Sequence, residues 1–178
     1  MSFYYFIASL PEVSLTAPPP WTTDEFLAEA RRLVDPATAA ELEAIVADGA
    51  PSARSELAAR WRAAETQMRN ALARSRAVRL DLDPSPYLRP HEGFSNYIEH
   101  AVIEAFAKPN PLERELSLDR FRWSLLEEWA REQPFGLNAL LAYALKLKVS
   151  ERWGRFGDED GRRRLAETVA AVRAAYAG

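Results

Sequence analysis

"FGLNALLAYALKLKVSERWGRF", Phe135 to Phe156, is the most apolar helix-like run in the chain, and it carries two of the three lysines, Lys146 and Lys148. At about 100° per residue, Leu137, Leu140, Leu141, Ala144 and Leu147 fall on one side with Lys148 at its centre. Leu145 and Val149 widen the apolar surface, and Lys146 points the opposite way. An apolar face this broad predicts a helix buried on much of its circumference. A helix of that kind sits at the centre of a bundle, so the expected fold class is mainly α, a helical bundle.

Lys148 is the anomaly on that face, and three readings compete for it. A buried lysine with a depressed pKa serves as nucleophile or base beside a carboxylate, which describes a small helical enzyme. Alternatively the stem packs on the leucines while the ammonium reaches Glu151, or Glu127 and Glu128 of the preceding helix. In the third reading the charged end of the helix meets another subunit, with Arg152 and Trp153 continuing the contact. No phosphate-cradling glycine loop accompanies the lysine, since neither Gly-x-Gly-x-x-Gly nor Gly-Lys-Ser/Thr occurs. The residues favour a fastener over a reagent.

Working outward, the segment before this helix holds others with clear punctuation. Helices are expected near Ser95 to Ala107, stopped by Pro109 and Pro111, and near Leu118 to Arg131, with Ser117 as cap. After it, Gly157 and Asp158 open a last helix to Tyr176, with Asp158, Glu159 and Asp160 as cap and acidic first turn. "GDEDGRRRLAE" (Gly157 to Glu167) matches several places of a calcium loop, but Phe156 occupies the first place and cannot ligate. His91 and His100 share no metal-ligand spacing. No cofactor or metal is expected.

The N-terminal half reads as helical too. Thr22 or Thr23 caps a helix to Val34, and Asp35 with Pro36 restarts one to Asp48, ended by Gly49 and Pro51. From Ser52 a long helix places Leu57, Trp61, Ala64, Met68, Ala71, Ser75 and Val78 at alternating gaps of four and three, the seam of a helical hairpin or arm. That seam offers a route to self-association through the Ser52 to Val78 helix. Beside it Arg62, Arg69 and Arg76 recur at sevens as one stripe, either a solvated face or a docking face for an acidic partner.

Two segments read as extended. Phe3 to Ala8 is aromatic and β-branched, and Val78, Leu80 and Leu82 alternate with Arg79 and Asp81. Together they leave room for a small two-stranded ribbon. "APPPW" (Ala17 to Trp21) is a stiff connector. The whole is expected to be one domain over 1–178: an N-terminal helical region spanning 1–83, a proline-rich loop over 84–93 and a C-terminal helical region spanning 94–178.

Composition narrows the function classes. The 178 residues are 48% hydrophobic and 28% charged with a net charge of -3, so no general nucleic-acid surface is indicated and any electrostatic role is local. The absence of cysteine excludes disulfides, thiolate metal sites and a cysteine nucleophile. "MSFYYFIASLPE" is a poor signal peptide, and no run approaches the roughly 20 apolar residues of a membrane span. The expected location is cytoplasmic, reaching a membrane only through a protein complex.

Three stretches carry a family likeness: "FYYFIASLPEVSL" (Phe3 to Leu15), "NPLERELSLDRFRW" (Asn110 to Trp123) and "LLAYALKLKVSERW" (Leu140 to Trp153), followed by Gly161 and Arg162. With them the chain resembles an uncharacterised bacterial family encoded in V/A-type ATPase operons, whose members resemble the C (d-type) subunit of the central stalk. The resemblance implies a non-catalytic assembly or coupling subunit, an α-helical socket between the rotating shaft and the membrane ring, with other ATPase subunits as partners and no nucleic acid. A chain this short would supply only a portion of such a socket. The interface residues expected on this reading are Lys146, Lys148, Arg152 and Trp153, then Arg62, Arg69 and Arg76. The rival from another class is an enzyme using Lys148 with a carboxylate. A general helical adaptor unrelated to ATPases is the other alternative.

Overall fold

The computed structural model describes residues 3–47, 50 and 52–154. Seven α-helices lie within them: α1 Tyr4–Ser9, α2 Thr23–Leu33, α3 Pro36–Val46, α4 Glu56–Leu80, α5 Asn96–Ala107, α6 Pro111–Glu132 and α7 Leu137–Gly154. A single turn of 3-10 helix, Ser85–Tyr87, interrupts the proline-rich loop. The expected helix over Asp158 to Tyr176, its acidic cap and the "GDEDG" stretch lie outside the described residues, as do Gly49 and Pro51.

α7 is the axis. Leu140, Leu141, Ala142, Ala144, Leu145, Leu147, Val149 and Ser150 are buried, so the broad apolar face becomes a helix enclosed on most sides. α6 and α7 form an antiparallel hairpin, with the pairings 127 to 146 and 119 to 152 fixing the direction. α2 and α3 cover α7 on another side, and α4 runs antiparallel to α6, paired from Arg60 with Glu132 to Glu65 with Arg122. One hydrophobic core joins Phe6, Phe26 and Leu42 from the N-terminal region with Val102, Leu126 and Leu147 from the C-terminal region.

Local chemistry sets the helix ends. Thr22 caps α2 in a reciprocal box: its hydroxyl accepts from the Glu25 amide at 3.2 Å while its own amide donates to Glu25 at 2.8 Å. Asp35 caps α3 by accepting from the amides of Ala37 and Thr38, and Pro36 occupies the first turn, where its missing N–H costs nothing. Ser55 caps α4 through the Ala58 amide.

The ribbon is not formed, and among the described residues there is no strand. Phe3 to Ala8 contributes to α1 instead. Phe3, Phe6, Ile7 and Leu10 all pack on the core, and their spacing of three, one and three is a helical stripe that outweighs the strand preference of the residues themselves. Phe6 stacks on Phe26 with ring centroids 5.8 Å apart. The intended partner strand belongs to the last turn of α4. Asp81 ends that turn in the left-handed region at φ 52°, and the amides of Asp81 and Leu82 both return to the Ala77 carbonyl.

Two further expectations shift. α6 begins seven residues earlier than Leu118, because Asn110 accepts from the Leu112 amide at 2.9 Å and Pro111 starts the helix; Ser117 lies inside it. In α4 the seam holds at Leu57, Ala64, Met68 and Ala71, with Trp61 half-buried, but Val78 is 84% exposed. The buried section of the seam packs within the chain's own core. α5 runs parallel to α4, and two buried amides on α4 stitch the returning loop to it. Gln67 exchanges hydrogen bonds with the Ser95 backbone, and Asn70 does the same with Arg89. Each amide side chain stands in for a strand partner and satisfies loop backbone that burial would otherwise leave unpaired.

Candidate functional site

Lys148 does not reach Glu151, Glu127 or Glu128. Its ammonium donates to the carbonyl of Val46, the last residue of α3. Helix C-termini present unsatisfied carbonyls and partial negative charge, so a cation there is favoured twice over. Glu151, one turn on, performs the converse task. It accepts from the Thr23 amide at 2.5 Å and the Thr23 hydroxyl at 2.9 Å, at the positive start of α2. Thus α7 offers a cation to the end of one helix and an anion to the beginning of another. Two of its hydroxyls hold the N-terminal segment: that of Tyr143 donates to Pro11 at 2.9 Å and that of Ser150 to Ser14 at 2.8 Å. Burial pushes the Tyr143 phenol up to about 12.

Lys146 faces α6. Its ammonium donates to Glu127 at 3.1 Å and lies 4.6 Å from the centre of the Trp123 ring, whose indole N–H also donates to Glu127. Burial disfavours ionisation of Glu127, but the hydrogen bond and charge of Lys146 outweigh it and hold the carboxyl below its ordinary range.

Arg152 and Trp153 converge on a residue that the sequence did not single out. Asp119 of α6 is fully buried and accepts from Arg122 at 2.8 Å, from the Trp153 indole at 2.7 Å and from Arg152. Arg122 also donates to Glu65 of α4 at 2.6 Å. Burial works against the Arg122 charge, yet the two flanking carboxylates raise its pKa above the ordinary arginine value. Glu65, Arg122, Asp119 and Arg152 therefore form a chain of alternating charge across α4, α6 and α7. The sum is neutral, which is what permits the burial of Asp119 and Arg122, while Arg152 closes the chain at the half-exposed edge.

The arginine stripe divides into three environments. Arg62 is turned inward and donates to the carbonyls of Ala50 and Ala53, bracing the approach to α4. Arg69 is exposed beside Glu65 at 3.9 Å. Arg76 lies on the rim of a cleft of about 300 Å³ at the end of the bundle, where Arg79 and Arg114 meet Phe106. A wider cleft of about 540 Å³ opens between α4, α5 and α6, lined among others by Arg60, Phe94, Tyr97 and Trp129. The first of these could have been noticed from Arg76 and Arg79, one turn apart near the end of a long helix; Phe106 and Arg114 join them only in three dimensions.

His91 and His100 are not brought together with other ligands, and among the described residues no three His, Asp or Glu side chains converge as a metal site. Nor is any described helix long and apolar enough to cross a membrane. A family model described as "Protein of unknown function (DUF2764)" matches residues 97–174, taking in α5 from its second residue, α6 and α7. No curated protein and no solved structure matches the chain.

Proposed function

We propose that the protein is a non-catalytic assembly or coupling subunit of a V/A-type ATPase, similar to the C (d-type) subunit, which links the central stalk to the membrane ring from the cytoplasmic side. One observation carries the reading. The three stretches on which the resemblance rests all meet at α7: Asp119 in the second binds Arg152 and Trp153 in the third, while Pro11 and Ser14 in the first accept from Tyr143 and Ser150. What those stretches have in common is a lock between helices. A coupling element must transmit force without shearing internally, and buried charge pairs resist shear because separating them strands a charge in a dry interior.

Lys148 belongs to the same lock, since its ammonium donates to the carbonyl that ends α3. On this reading Lys146, Lys148, Arg152 and Trp153 shape the subunit, and partners are met by surfaces elsewhere.

The test is purification of the tagged chain from its native host under conditions that keep the ATPase intact. ATPase subunits should copurify. Recovery of other proteins with no ATPase subunit would favour a general helical adaptor and remove the proposal.

A further inference from the structure

The smaller cleft is unusual in its charge. In a chain with net charge -3, its lining holds Arg76, Arg79 and Arg114 against one carboxylate, Glu115. Two of the guanidiniums are fixed in place by neutral groups. Arg79 donates to the Phe106 carbonyl at 2.8 Å and lies 4.8 Å from the centre of that residue's ring. Arg114 donates to the Lys108 carbonyl at 2.7 Å and lies 5.7 Å from the same ring. Carbonyls and a ring face orient these cations without neutralising them, and among the described residues Arg76 has no carboxylate partner. Beneath them the floor is apolar: Leu72, Phe106 and Leu118, with Leu80 at the mouth 67% exposed.

From this arrangement we infer that the cleft docks an acidic segment of a partner protein, which places an apolar side chain on the Phe106 floor and carboxylates against Arg76, Arg79 and Arg114. An apolar floor of this size with a cationic rim selects for both features at once, because guanidiniums held in place bind carboxylates with little ordering cost. A small free anion would gain nothing from the floor. The inference stands independently of the ATPase reading, which names a particular partner.

A benzophenone side chain introduced at Glu115 in the full chain, expressed in the native host, tests it. That position removes only the carboxylate that would repel the ligand. Irradiation is expected to give a product whose sequenced segment carries Asp or Glu on both sides of an apolar residue. Its yield should fall several-fold with added salt and several-fold in Arg76→Glu, a substitution at an exposed side chain that leaves the thermal midpoint unchanged. No crosslinked product, a segment without carboxylates, a lipid or nucleic-acid adduct, or equal yield from Arg76→Glu would each overturn the inference. Whether the sequenced segment belongs to an ATPase subunit bears on the proposed function alone.

Discussion

Lys148 shows how a charge can serve a core. Its head meets the end of α3, so the residue joins two helices by donating to a helix-terminal carbonyl. Lys148→Met keeps the stem and removes the donor, and should cost about 2 kcal/mol, read as a lower urea midpoint. An unchanged midpoint would mean that water replaces the ammonium without loss. Tyr143 makes a pH-dependent contribution of definite sign. Its phenol is neutral when protonated, and burial raises its folded pKa from 10.0 to about 12. The folded state therefore holds that proton more tightly than the unfolded chain, so its contribution is complete below the unfolded value and is lost as pH rises through the interval between the two. Tyr143→Phe should flatten the alkaline limb over that interval, at a cost of about 1 kcal/mol near neutrality for the lost bond to Pro11. Tyrosinate absorbance checks the shift directly. The anomaly of Lys148 was legible in its position amid a leucine face; its contact with Val46 was not, because a backbone carbonyl 102 residues away leaves no mark in composition.

At the scale of elements, the caps of α2 and α3 were legible, and those of α4 and α6 and the end of α4 were not. Thr22 and Asp35 carry local information, since each acts on amides two or three residues away, whereas α4 was expected from Ser52 and is capped by Ser55. Val78, Leu80 and Leu82 alternate as a strand would, but an alternating run also sits on the exposed end of a helix that has outrun its bundle. The deciding residue is Asp81, held at φ 52° to close α4. Glycine adopts that conformation without the Cβ penalty, so Asp81→Gly should stabilise the protein by about 0.5 kcal/mol and raise its thermal midpoint. A lower midpoint would show that the aspartate makes a compensating contact. α1 teaches the complementary lesson. Aromatic content pointed to a strand, while the spacing of Phe3, Phe6, Ile7 and Leu10 pointed to a helix, and spacing prevailed because it decides which side chains can share one buried face.

For the molecule as a whole, the element that matters most is the charge chain through Asp119, and it was hidden for a plain reason. Glu65, Arg122, Asp119 and Arg152 each occupy ordinary helical positions, and only the packing of α6 on α7, with Arg122 reaching across to α4, brings them into line. Its energetic role follows from balance. Asp119→Asn preserves volume but leaves the interior Arg122 with one carboxylate in place of two and the half-exposed Arg152 facing a neutral group, which should cost about 3 kcal/mol. Because the chain spans three helices around one core, the loss should appear as a single transition, with tryptophan fluorescence and far-ultraviolet dichroism falling at the same lower urea concentration. Removing both partners, as in Asp119→Leu with Arg152→Met, restores neutrality, since Arg122 still pairs with Glu65. That double variant should recover some of the stability lost in Asp119→Asn, even though it deletes more hydrogen bonds. Should the double variant prove less stable than the single one, the hydrogen bonds of Asp119 rather than its charge would be what binds α7 to α6.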